Sequence, residues 1–286
     1  MSNKDVARHL TEAKDLIAGK RWDAALAALE KAERVPDQPA YSKDKILEFK
    51  AYVLTQQHKD AEAGAVFEQL AKSESASAEQ RNDQLKKASQ LYMRAKQYEK
   101  SARAAEAALA KQPNDPALLE LAGKARYLAG DFRGAAARTA QLVAATERKG
   151  GKPPEAALQV LVDSYYKLDD RKQIGQAWEM LLQHYPKPEY WRNVLAIKSA
   201  QPHSERVDYY YLALKFDVGM LDKPRDYETL AMGAIDLGLP EDAVRVLEAG
   251  LRKGPLAGKD EPRFRRMLAH AQAQTAKSSS DVKELA

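Results

Sequence analysis

The sequence predicts an all-α fold, an α-solenoid of about seven helix pairs closed by a C-terminal capping helix. Three observations predict it. Ala, Leu, Glu, Lys, Gln and Arg, the strong helix formers, dominate the 286 residues, and no stretch alternates β-branched or aromatic residues with polar ones. A short phrase recurs at intervals close to one helix–turn–helix unit. The thirteen prolines fall where such units would begin, turn or end.

The phrase is a turn, an aromatic or polar residue, and Ala three positions on, within an amphipathic run. It reads Trp22–Asp23–Ala24–Ala25, then Tyr98–Glu99–Lys100–Ser101, then Phe132–Arg133–Gly134–Ala135. Looser copies begin at Asp60, Arg171, Ser204 and Pro240, so successive copies are offset by 38, 38, 34, 39, 33 and 36 residues. The clearest unit runs from Pro116 to Lys149, with Gly130–Asp131–Phe132 as its internal turn, and Asn82 to Asp115 precedes it. Small residues at Ala25, Ala63, Gly123 and Ala135 let two antiparallel backbones approach, and the large Trp22, Tyr98 and Phe132 fill the space beside them. Each pair then leaves an apolar face that only the next pair buries.

Pro36, Pro39, Pro113, Pro116, Pro153, Pro154, Pro186, Pro188, Pro224, Pro255 and Pro262 fall at expected unit junctions or helix starts, and Pro202 and Pro240 at turns within a unit. None is forced into a helix interior, where it would cost about 3 kcal/mol. Residues 1–277 are thus one solenoid. Lys72 to Ala78 reads as a longer loop, 148–154 as a flexible joint, 262–277 as the capping helix and 278–286 as a polar tail.

Composition narrows function. Without cysteine there is no disulfide, thiolate metal site or cysteine nucleophile. The net charge of +5 is spread over 46 basic and 41 acidic residues without a block of one sign, which argues against nucleic acid. No apolar run approaches the ~20 residues of a membrane span. The five histidines are scattered and never three or four apart, so no helical metal pair is expected, and there is neither a phosphate-binding glycine loop nor a nucleophile elbow. Asp163 with Asp169 and Asp170 would suit acid/base work, but Asp169–Asp170 reads more simply as an exposed turn. No enzyme, cofactor or metal is expected.

The 116–149 and 82–115 units, with Tyr92, Tyr98, Ala108 and the closing Pro113–Asn114–Asp115, resemble the tetratricopeptide repeat (TPR) family. That resemblance implies a protein-interaction scaffold whose first helix in each pair lines a concave groove. The groove positions it implies include Lys86, Gln90, Arg94, Glu120, Lys124, Tyr127, Gln159, Asp163, Tyr166, Lys167 and Arg192. The partner-binding set drawn from them is Lys86, Gln90, Arg94, Lys124, Tyr127, Asp163, Tyr166 and Arg192. This mixed polar lining suits an extended protein or peptide segment. Residues 79–112 hold eight basic against four acidic side chains, so an acidic partner is the one the local field favours. Gln90 and Glu120 stand where chaperone-binding relatives carry Asn and Lys, which argues against a chaperone-tail clamp. Tyr190, Tyr209 and Tyr210 are a second, aromatic candidate surface, with Trp191 and Tyr211 expected in the core.

The order Tyr185–Pro186–Lys187–Pro188–Glu189–Tyr190–Trp191–Arg192, then Tyr211–Leu212–Ala213–Leu214, Asp226–Tyr227–Glu228–Thr229–Leu230–Ala231, Leu237–Gly238–Leu239–Pro240–Glu241–Asp242–Ala243 and Val246–Leu247–Glu248–Ala249–Gly250–Leu251, is similar to TPR proteins that accompany TonB energy-transduction systems. It implies a scaffold of the bacterial cell envelope. Met1 to Leu10 is polar and shows no apolar h-region, so these residues are not expected to be a secretory signal. The expected place is therefore the periplasm if a signal peptide has been removed, and the cytoplasm otherwise. The alternatives are a cytoplasmic TPR adaptor, or a protein that binds or hydrolyses cell-wall polymer.

Overall fold

The computed structural model describes residues 3–200 and 204–284. Pro202 and His203 lie outside them. The described residues form fifteen α-helices and no strand. They divide into two compact units, Met1–Ala177 and Trp178–Ala286.

In the first unit the helices are α1 (Asn3–Ala18), α2 (Trp22–Glu33), α3 (Ala40–Gln56), α4 (Asp60–Ala71), α5 (Ala78–Arg94), α6 (Tyr98–Leu109), α7 (Pro116–Leu128), α8 (Phe132–Arg148) and α9 (Glu155–Lys167), followed by the start of α10 (Arg171–His184). The recurring phrase marks the second helix of each pair, because Trp22, Asp60, Tyr98, Phe132 and Arg171 are the first residues of α2, α4, α6, α8 and α10. From α1 to α9 each helix packs on the next, and α1 also touches α3, α5 touches α7, and α7 touches α9. Turns of three residues between contacting helices leave only antiparallel pairing.

One backbone device makes these turns. The residue at Lys20, His58, Lys96, Gly130 and Asp169 takes a positive φ of 54°, 57°, 58°, 82° and 52°. The next amide then reaches back over the helix end, as in Arg21 N–H to the Leu16 carbonyl (2.8 Å), Gln97 to Tyr92 (2.8 Å) and Asp131 to Arg126 (2.9 Å). A lysine held left-handed costs about 1–2 kcal/mol, against the extra unfolded-state freedom of glycine. Lys96 is exposed. Lys96→Gly is therefore expected to raise stability by about 0.5–1 kcal/mol, read as a higher midpoint in urea; an unchanged or lower midpoint contradicts the turn geometry.

The core follows the stacking logic. Val6, Ala13, Ala28, Leu29, Ala32 and Ile46 join α1, α2 and α3. Ala51, Leu54, Ala63, Val66 and Leu91 join α3, α4 and α5. Ala105, Ala108, Leu118, Leu119, Ala122, Leu142, Ala145 and Ala157 run from α6 to α9. Each pair thus closes only with the first helix of the next. The α5–α6 crossing has a polar solution in place of a glycine or alanine. Ser89 and Ser101 are fully buried, and each hydroxyl donates to the other's carbonyl at 2.8 Å. Of residues 148–154, expected as a flexible joint, Arg148 ends α8 and the rest form the turn to the contacting helix α9, where the Gly150 and Gly151 amides bond to the Glu147 and Thr146 carbonyls. The division between the two compact units lies within α10.

The second unit holds the end of α10, then α11 (Pro188–Ser199), α12 (Glu205–Asp217), α13 (Pro224–Asp236), α14 (Pro240–Lys253) and α15 (Glu261–Glu284). Proline occupies the first turn of α11, α13 and α14, where its missing N–H costs nothing. Tyr209, Tyr227, Leu230, Ala234, Val246, Leu247, Leu256, Phe264 and Ala271 build one core from α12 to α15. α15 buries Phe264 and Ala271 and turns Arg263, Arg265 and Arg266 outward, the form of a capping helix. It continues through the expected tail to Glu284, seven residues past Lys277. The expected aromatic surface is not formed as a set. Tyr190 packs on Trp178 with ring centroids 5.7 Å apart and Tyr209 lies over Gly233, so both are buried and Tyr210 alone of the three is exposed. Trp191 and Tyr211, expected in the core, are half-buried.

Candidate partner-binding groove

The groove-facing candidates of the first unit sit on α5, α7 and α9, the first helices of three successive pairs. Gln90, Arg94, Lys124, Asp163 and Tyr166 are exposed, and Lys86 is half-buried. The structure does not gather them into one site. Gln90 and Arg94 line a cleft of about 560 Å³ between α3, α4, α5 and α7. Lys124 and Glu120 belong to a separate, smaller cleft of about 110 Å³ with Thr139, Leu142, Ala156 and Val160. Tyr127 is half-buried and packs edge-on against Phe132 at 5.6 Å, so it supports the turn between α7 and α8. Asp163 and Tyr166 lie farther along, on α9, and Arg192 is exposed on α11 of the second unit.

The larger cleft holds what the register did not anticipate. Its floor is Phe67, Leu91, Met93 and Leu121, with Thr55 on one side and Lys87, Gln90 and Arg94 at the rim. Phe67, Met93 and Leu121 are only half-buried, so apolar surface stays open to the cleft. The Lys87 ammonium stands 5.7 Å from the Phe67 ring centre and pairs with Asp83 at 2.7 Å. Arg94 pairs with Asp60 at 2.5 Å. Both rim cations are about half exposed, and no carboxylate lines the cleft itself. The sequence signal was present in the apolar pair Phe67 and Leu121, but each fits equally well as ordinary packing.

A charged network holds α6, α7 and α8 in place below these positions. Glu106 accepts from Arg126 Nε and from Arg138 Nε and Nη2, all at 2.8 Å, while Arg126 also reaches Asp131. Asp131 in turn caps α8 by accepting the Gly134 amide at 2.9 Å. A Cβ at Gly134 would sit 2.7 Å from Arg126 Cδ, so a larger residue there would make the Arg126 side chain shift. Burial works to push the Glu106 carboxyl up, but the hydrogen bonds from Arg138 and Arg126 and their charges outweigh it, and the group is held below its ordinary value.

A carboxyl with a lower pKa folded than unfolded stabilises the fold above the ordinary carboxylate range and loses that contribution as pH falls through the folded value. Wild type is therefore expected to lose stability on acidification more steeply than Glu106→Gln. Near neutrality Glu106→Gln is expected to be less stable by about 1–2 kcal/mol, and the gap should narrow in acid. Urea melts at several pH values check both, and parallel pH profiles contradict the network's role.

Among the described residues no three His, Cys, Asp or Glu side chains come together as a metal-binding group, and no helix is long and apolar enough to cross a membrane.

No family model and no curated protein matches the chain. Similar solved structures include a tetratricopeptide repeat protein from Parabacteroides merdae ATCC 43184, at 11% identity over 94% of this chain and 100% of that one, with a TM-score of 0.42. YrrB, a TPR protein with an unusual peptide-binding site, is 15% identical over 68% of this chain and 94% of its own, with a TM-score of 0.45. The TPR2AB domain of yeast Sti1, in complex with pHSP90, is 12% identical over 95% of this chain and 100% of its own, with a TM-score of 0.47.

Proposed function

We propose that this protein is a non-catalytic interaction scaffold, and that its first unit receives an extended segment of another protein across α3, α5 and α7. The observation that carries this reading is the 560 Å³ cleft, which combines an open apolar floor with a polar, cationic rim; clefts of about 450 and 410 Å³ open elsewhere on the same unit. Clefts of this size, largely apolar with a few fixed polar groups, are what a ligand segment needs for affinity and orientation together. The order of residues from Tyr185 to Ala243 supports placing the scaffold at the bacterial cell envelope, beside a TonB energy-transduction system. An upstream signal peptide in the gene and recovery of the protein from the periplasm are the checks on that location; a cytoplasmic protein contradicts it.

The absence of cysteine allows a clean test. Single cysteines at Gln90, Lys124 or Arg103, each labelled with a benzophenone, would be photolysed in envelope extract. Arg103 is exposed on α6 and lines neither cleft. A common partner crosslinked from Gln90 and Lys124 but not from Arg103 is the expected result. Crosslinking from Arg103 alone, or none from any position, contradicts a groove-binding scaffold.

A further inference from the structure

Building on the groove reading, we infer that the cleft between α3, α4, α5 and α7 selects a segment in which a large apolar side chain is flanked by acidic residues. The apolar half of this follows from the floor. Phe67 comes from α4, Leu91 and Met93 from α5, and Leu121 from α7, so three helices converge on one concave apolar surface. Phe67, Met93 and Leu121 remain partly exposed, and their burial under one inserted side chain removes contiguous apolar surface from water. A volume of about 560 Å³ admits a tryptophan or leucine side chain together with part of its backbone.

The acidic half follows from the rim. Lys87 and Arg94 stand on the same helix, seven residues and so two turns apart, and both line the cleft with Gln90 between them. Their existing partners, Asp83 and Asp60, leave them about half exposed. Such exposed pairs are weak. A guanidinium with five donors and an ammonium with three have donors to spare for a second carboxylate. Lys86, beside Lys87 on α5, adds to the local excess of eight basic over four acidic residues in 79–112. A basic segment would meet like charge at both ends of the floor. A wholly apolar segment would leave the spare donors of Lys87 and Arg94, beyond their pairs with Asp83 and Asp60, to water alone.

The probes are three capped pentapeptides titrated into the full chain carrying a ¹³C-methyl label on methionine: tryptophan between two glutamates, alanine between two glutamates, and tryptophan between two lysines. The Met93 methyl reports directly from the floor. The first peptide is expected to shift that resonance saturably. The alanine and lysine peptides are each expected to bind about tenfold or more weakly. Affinity for the first should fall with salt, and Leu121→Asp should abolish the shift while the helical signal persists. Equal binding of the glutamate and lysine peptides, equal binding of the alanine peptide, or no Met93 shift at millimolar concentration overturns the inference. So does an unchanged affinity in Leu121→Asp. The crosslinking at Gln90 and Lys124 reads the groove independently, so a partner captured there while the probes fail leaves the scaffold standing and removes only this selectivity.

Discussion

Tyr92→Ala is expected to lower the unfolding free energy of the first unit by about 3–5 kcal/mol, the largest single loss the structure implies. Tyr92 is 1% exposed on α5. Its ring lies against Gly64 of α4, where a Cβ would come within 3.0 Å, and clusters with Ala88 and with Ala104 of α6. Its hydroxyl donates to Glu68 Oε2 at 3.0 Å, and the Lys100 ammonium stands 5.5 Å from its ring centre. One side chain therefore joins two successive pairs. Its removal opens a cavity and leaves the part-buried Glu68 carboxylate without its donor.

Phenylalanine separates the two contributions. Tyr92→Phe keeps the ring and is expected to cost about 1 kcal/mol. It should also change the alkaline behaviour. Burial first, and the hydrogen bond to Glu68 second, push the Tyr92 phenol up to about 12 from an ordinary 10.0. A raised pKa contributes stability that is full below the unfolded value and lost as pH rises through the folded one. Wild type should thus lose an increment between about pH 10 and pH 12 that Tyr92→Phe lacks. Urea midpoints across that range are the measurement. A loss under about 1 kcal/mol for alanine contradicts the packing assigned to Tyr92.

Gly123→Leu is expected to cost about 3 kcal/mol, the upper end of overpacking penalties. Gly123 sits where α7 crosses α8, and a Cβ there would lie 2.7 Å from Thr139 Oγ1 and 3.5 Å from the Thr139 amide nitrogen. Thr139 is itself buried and β-branched, so it has little room to turn aside. A leucine would have to part the helices. Gly123→Ala poses a finer question, because the gain of about 1 kcal/mol in helix propensity opposes the clash with one oxygen. Combining it with Thr139→Ala should remove that clash and leave the double variant more stable than Gly123→Ala alone. Thermal melts of the three variants settle the matter. A Gly123→Leu protein that melts like wild type would show that α7 and α8 are not in close contact at this point.

The helix pairs were legible because each is announced by a turn with a local cause. A small set of positions, Lys20, His58, Lys96, Gly130 and Asp169, shares one backbone conformation, and the helix after each begins at the phrase read from sequence. Gly123 was legible for the same reason, since close helix approach leaves a small residue at a fixed place. The groove was only half legible. Register tells which face of a helix turns outward, and Gln90, Arg94, Lys124, Asp163 and Tyr166 do turn outward. It does not tell where neighbouring helices leave a gap. That depends on side-chain volumes from three elements at once, and so the Phe67–Leu121 floor emerged only in three dimensions. The tyrosines failed differently. Tyr209, Tyr210 and Tyr211 are consecutive, so they sweep over half the circumference of α12 and cannot share one environment. The first is buried over Gly233 while the second faces out. Ser101 stands at the alanine position of the phrase, but nothing in a periodic pattern shows that its hydroxyl and that of Ser89 exchange bonds across the crossing.

The claim that a partner lies across the first helices of successive pairs is tested most directly by hydrogen–deuterium exchange on the full chain, free and bound to the crosslinked partner. The groove account predicts that binding slows exchange in α3, α5 and α7, around Thr55, Gln90, Arg94 and Leu121, and leaves α2 and α6 unchanged. Slowed exchange confined to α2 and α6, or to the helices from α11 to α15, with α5 and α7 exchanging as in the free protein, would contradict it.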